Sequence, residues 1–163
     1  MSHWILNRLI AFCLDNAALL EACGAMARDA EAAQLLRRLA GDCAASAQEI
    51  AHLQLRLGGR PILAGTPQGA ARCRAVQQGA ALGPAAWAAI NATMARSISD
   101  SITACEGFGT LTLPPLVSAA VETVQADLRM IRFELRRMDD DERRPPHDRQ
   151  QSAAEIRFGI LRP

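Results

Sequence analysis

Beginning at Ile5, apolar residues return in alternating steps of four and three: Ile5, Leu9, Phe12, Asn16, Leu19, Cys23 and Met26. That is a heptad seam, the mark of a helix that buries one edge. Asn16 is its one polar intruder, and it is expected to bond across the core and set helix register. Ser2 can cap this first helix, which should run to about Arg28. Asp29 is a candidate N-cap for the second. The second seam is Leu36, Leu39, Cys43, Ser46, Ile50, Leu53 and Leu57, and Gly58-Gly59 followed by Pro61 is its stop. So short a link predicts an antiparallel helical hairpin.

Residues 58–84 break the rhythm. Gly, Pro, Gln and Ala dominate, which implies a long connection with a short helix around Gly69 to Ala80. Gly83-Pro84 opens the third long helix, with Trp87, Ile90 or Asn91, Met94, Ile98, Ile102 and Cys105 on its seam. Gly107-Phe-Gly109 ends it. Pro114-Pro115 starts the fourth, whose seam is the most regular of all: Val117, Val121, Val124, Leu128, Ile131, Leu135 and Met138. Asp139-Asp-Asp-Glu142 then places negative charge at a helix C-terminus, where fraying is expected.

Four helices of matched length, each roughly 35 to 40 Å long, bury such seams against one another. The expected fold is all-α: an antiparallel four-helix bundle over residues 1–141. Its long second connection is the feature that separates a ferritin-like arrangement from a simple up-and-down one. Residues 142–163 form a polar tail with an apolar end, Ile156-Arg-Phe-Gly-Ile-Leu161. Docking on the bundle, contact with a partner and disorder are all open to it.

Composition agrees with helix. Half of the 163 residues are hydrophobic, there is no Tyr, and Phe and Trp number only four and two. Strands draw on β-branched and aromatic residues, whereas Ala and Leu cost little in a helix. The formal net charge of +1 gives no field for nucleic acid or an anionic membrane. Arg37-Arg38 and Arg136-Arg137 lack interleaved aromatics and read as solvated helix surface. Every basic side chain is Arg, never Lys, which we read as base composition. Five cysteines, an odd number with no Cys-x-x-Cys pair, suit a reducing cytoplasm and mostly small buried roles. Neither a signal peptide nor a membrane span is expected.

The chemistry worth testing is Glu49-Ile-Ala-His52. Glu-x-x-His on a helix supplies two ligands from one face in dinuclear carboxylate bundles. Such a centre needs about four carboxylates and two imidazoles. The first helix offers Asn16 with Asp15 beside it, and an amide is a poor bridging ligand because it is neutral and half donor. The third offers Asp100 and Glu106, both off the seam. The fourth has Glu122 followed three residues later by Gln125, then Asp127, and neither of these helices has a His. Glu49 and His52 therefore stand as the candidate metal ligands, for iron or another divalent ion. The competing reading is a solvated flank shared with Asp42 and Arg56. No catalytic constellation is complete: there is no phosphate-binding Gly loop and no Gly-x-Ser-x-Gly elbow. Cys43 and His52 lie nine residues apart on one helix, too far to act together.

Leu6-Asn-Arg-Leu-Ile10, Cys13-Leu-Asp15 and Leu53-x-x-x-Leu-Gly-Gly59 resemble a proteobacterial ferritin-like four-helix-bundle family of unknown function. The likeness is best over residues 5–61. It continues loosely through Arg96–Glu106 and Leu113-Pro-Pro115, and does not reach the tail after Asp141. It implies a ferritin-like bundle that often self-associates, has no established enzymatic activity, and is linked to stress physiology or metal handling. This chain departs toward Ala, Ser and Leu along the bundle. It carries Leu128, Ile131 and Arg132 where a His would strengthen a metal reading. The expectation is a non-enzymatic cytoplasmic bundle that works by self-association or through a protein partner.

Overall fold

The computed structural model describes residues 2–80 and 85–143. They form five helices, with no strand among the described residues: α1 (Ser2–Met26), α2 (Ala30–Arg56), α3 (Pro67–Ala80), α4 (Ala85–Gly109) and α5 (Pro115–Arg143). The polar tail from residue 144, with its apolar end, lies outside the described residues, as does the Gly83-Pro84 opening of α4.

Local chemistry sets the helix ends. The Asp29 carboxylate accepts from the Ala32 amide at 2.8 Å and caps α2. At the other end Gly58 has φ 75°, a conformation costly for any residue with a Cβ. Its amide bonds Leu55 O at 3.0 Å and the Gly59 amide bonds Gln54 O at 2.9 Å, the paired bonds of a Schellman stop. Pro115 begins α5, where its missing N–H costs nothing. The acidic run at 139–142 does not end α5, which continues to Arg143.

Contacts give the directions. The Gln54 amide, near the end of α2, reaches the carbonyls of His3 and Arg60, so α2 returns beside α1. The crossover then climbs along α1: the Ile62 amide donates to Asn7 Oδ1 at 3.0 Å and the Thr66 amide to Asp15 Oδ1 at 2.7 Å. Helix α3 continues in that direction. Helix α4 runs the opposite way, meeting Asn16 through Ser97 and Ser101, and Phe12 and Trp4 through Phe108. Helix α5 turns back along α4, with Arg129 on Glu106 at 3.1 Å, and touches α2 where Ser46 donates to Asp127. Thus α1 and α5 run one way and α2 and α4 the other, while α3 belongs to the crossover.

Helix α1 is the centre. It packs against each of the other four, most extensively against α2. Its buried arc is wider than one seam, because Leu6, Ile10, Cys13 and Leu20 join Ile5, Leu9, Leu19 and Cys23. Phe12 and Met26 are only half-buried. By length and hydropathy alone α1 is also long and apolar enough to cross a membrane. In this fold half of that apolar window is buried against neighbouring helices. All seven seam residues of α5 are buried, as are Ile90, Met94, Ile98, Ile102 and Cys105 of α4.

The crossover is held by polar bonds more than by burial. Val76 is the one buried large apolar side chain among the described residues of α3. Asp15 does most of the anchoring. Its Oδ2 accepts from the Thr66 hydroxyl at 2.6 Å, and that hydroxyl accepts from the Gly69 amide at 3.0 Å. A carboxylate thus sits over the N-terminus of α3, the end that favours negative charge. Gly65 and Gly69 leave the room for it, since a Cβ at either position would run into the Asp15 carboxylate. Asp15→Ala should lower stability by about 1–3 kcal/mol, the scale of charge-assisted hydrogen bonds. It should also speed thermolysin cleavage near Ile62-Leu63. Urea denaturation with timed proteolysis checks both; unchanged cleavage would refute the anchoring role.

Candidate functional site

Two places deserve the test for chemistry: the interior between the long helices, and the surface that carries Glu49 and His52.

Inside, Asn16 has no solvent exposure. Its amide nitrogen donates to Ser101 Oγ at 3.0 Å, and its carbonyl oxygen accepts from Ser97 Oγ at 2.9 Å. Arg72 of α3 completes the group. It donates to Ser97 Oγ at 3.0 Å and pairs with Asp100 at 3.4 Å. One layer therefore joins α1, α3 and α4. Its chemistry is satisfied amide, hydroxyl and guanidinium, without a free base or nucleophile. The expected bond from Asn16 across the core is present. Ser97 and Ser101, its partners, carried no seam signal, because a serine four residues from another on an Ala-rich helix reads as surface.

The interior thiols are equally quiet. Cys13, Cys23, Cys43 and Cys105 are buried, Cys73 is half-buried, and all five are free. Burial is the first cause of the upward shift at each. It pushes Cys23 and Cys43 up to about 12 and Cys105 up to about 11. Cys13 is raised further still, with the neighbouring Cys43 and Cys105 adding to the effect of burial. Thiols held this high stay protonated and are poor ligands and poor nucleophiles.

Outside, Glu49 and His52 both point to solvent on α2. Glu49 lines a surface groove of about 440 Å³ between α2 and α5. Asp42 stands with it on one wall, Asp127 and Glu134 on the other, and Arg38 is the one cation among the described residues that line it. Leu39, Met130 and Ile131 supply the apolar lining. His52 is not part of that groove. The structure therefore does not bring Glu49 and His52 together with further ligands. Among the described residues no group of three or more His, Cys, Asp or Glu stands close enough to hold a metal ion. A dinuclear centre of the ferritin kind does not fit these residues. The layer where inward carboxylates would be needed holds an amide, two hydroxyls and neutral thiols, and α4 and α5 have no His.

Comparison with known proteins adds nothing to the geometry: no protein-family model, no curated protein and no solved structure matches this chain.

The raised thiols make stability depend on pH. A folded pKa above the unfolded value, about 8.5 for a free thiol, gives stability that is full below that value. It is lost as pH climbs through the folded values near 11 and 12. The urea midpoint should be level up to about pH 8 and fall from about pH 9 upward. At pH 8, 5,5′-dithiobis(2-nitrobenzoate) should label Cys73 first and the other four only on unfolding. Rapid native labelling of Cys13 or Cys43 would contradict the burial.

Proposed function

We propose that this chain is a ferritin-like helical-bundle protein of the bacterial cytoplasm without enzymatic activity. On this reading it works through self-association or a protein partner, as an accessory in stress physiology. The observation that carries the reading is the filled interior. Where a ferritin-like enzyme presents carboxylates and imidazoles, this chain presents Asn16 bonded to Ser97 and Ser101. The run of the helices supports the ferritin-like comparison. Helices α1 and α5 share one direction, α2 and α4 the other, and the long crossover joins the middle pair, as in bundles with one crossover connection. Five free thiols suit a reducing compartment. The near-neutral charge gives no reason to invoke nucleic acid or a membrane surface.

A second reading draws on Glu49. Its place in an acid-lined groove favours a degenerate site for one divalent ion, iron included, with His52 one turn away on the same helix. Elemental analysis of protein purified from metal-replete cells separates the two. The first reading expects far less than one equivalent of iron, manganese or zinc. It also expects Glu49→Ala with His52→Ala to melt within about 0.5 kcal/mol of the parent, as exposed substitutions do. One bound equivalent, lost in that double variant, would establish the second reading instead.

A further inference from the structure

Helix α5 carries two heptad seams on opposite faces. The inner one, from Val117 to Met138, is buried in the bundle. On the outer face Leu116, Ala119, Thr123, Ala126, Met130 and Phe133 also recur in steps of three and four, and all six are exposed. Leu116, Met130 and Phe133 are 57%, 61% and 62% exposed, and no other helix leaves more than one large apolar side chain so open among the described residues. The neighbouring helices do not claim this strip. Asp127 turns to Ser46 of α2 and Arg129 to Glu106 of α4, and the strip runs between them. A helix that faces only water carries polar residues on its outer side. Sustained three-four apolar spacing is instead the pattern of a helix that meets another helix.

We propose that this strip is a homodimer interface, in which α5 of a second copy lies antiparallel across it about a two-fold axis. The inference rests on the self-association named in the proposed function and assigns it a face. Packing supports this occupant. With the axis between Val124 and Gln125, Thr123 meets the second copy's Ala126, Ala119 meets its Met130 and Leu116 its Phe133. Each contact occurs twice, as a two-fold interface demands. Small residues then lie at the crossing, where two helices come closest. Large ones lie toward the ends, where a crossing angle of about 20° separates the axes. Charge supports it as well. The same register sets Glu122 beside the second copy's Arg129, again twice, on the flank that faces α4. Arg129 and Glu106 are each half-exposed in their pair, so the guanidinium has donors left for a second carboxylate. A parallel pairing would set Glu122 against the second copy's Asp127, a repulsion that offsets the attraction of Arg129 for Glu134. From Leu116 to Phe133 the strip is about 26 Å long, a small interface of the kind that associates weakly.

Sedimentation equilibrium over a concentration series tests it. The full chain should pass from one chain mass to two with a Kd on the order of micromolar. Phe133→Glu should weaken the dimer at least about tenfold, and so should Ala126→Arg, which lays a long charged side chain at the crossing. Both positions face water in the single chain, so helical content should stay that of the parent. Glu122→Arg and Arg129→Glu should each weaken self-association about fivefold. A one-to-one mixture of those two variants should restore the parent affinity, because both pairs across the axis are again of opposite charge. Effects confined to one chain cannot be rescued in this way. One chain mass at every concentration overturns the proposal. So does a dimer that survives both Phe133→Glu and Ala126→Arg, which would leave self-association standing on another face. Mixed charge variants that stay apart overturn the antiparallel register, and the proposal with it. The metal content that decides the functional reading is measured separately and moves none of these outcomes.

Discussion

An amide with no access to water must find its hydrogen bonds inside the protein or cost about 1–3 kcal/mol. Asn16 meets that constraint through one geometry, with Ser97 and Ser101 of α4 as its partners. The apolar contacts around it are forgiving, since a helix of Ala and Leu can slide by a turn and still bury grease. The Asn16 bonds do not allow this. A slip of α4 by one turn would bring only one of the two serines to Asn16 and leave half of its amide unpaired in an apolar interior, so α1 and α4 are held in register by two bonds 81 and 85 residues apart in sequence. Arg72 extends the same layer to α3, which ties the crossover helix to the register already set.

Asp15, the preceding residue, does the complementary task. Asn16 looks inward to α4, and Asp15 looks sideways to the crossover, where it holds Thr66 and the start of α3. Asn7, two turns earlier, takes the Ile62 amide. These three polar residues give a mostly apolar helix three fixed points for chain that packs against it. The shared direction of α2 and α4 follows, since a crossover pinned to α1 at 62 and 66 climbs back along that helix before α4 begins.

Much of this was legible from periodicity. All seven seam residues of α5 are buried, and α4 buries its seam from Ile90 to Cys105, although it also buries Ser97 and Ser101 off that seam. The reading was poorer for α1, whose arc is too wide for a single seam because it is surrounded. It was poorer again for α3, which repeats no pattern because polar contacts hold it. Asp15 looked like a mere neighbour of Asn16, and its role depends on a threonine 51 residues away. Gly65 and Gly69 read as loop composition, yet they are the clearance for its carboxylate. Ser46 falls on the α2 seam by spacing, yet it lies half-buried, bonded to Asp127 at the head of an acidic groove that no spacing rule announces. Glu49 and His52 share a helix face, and only three dimensions put one of them on that groove and leave the other outside it.

The interior layer at Asn16 is settled by side-chain hydrogen bonds, and the acidic groove lies on the surface. The most direct test is a double-mutant cycle on Asn16→Ala and Ser101→Ala, followed by urea denaturation. Residues bonded across the core should couple by about 1 kcal/mol, within the 0.5–3 kcal/mol range of contacting pairs. Strictly additive effects would mean that the two side chains do not meet, and would contradict the account.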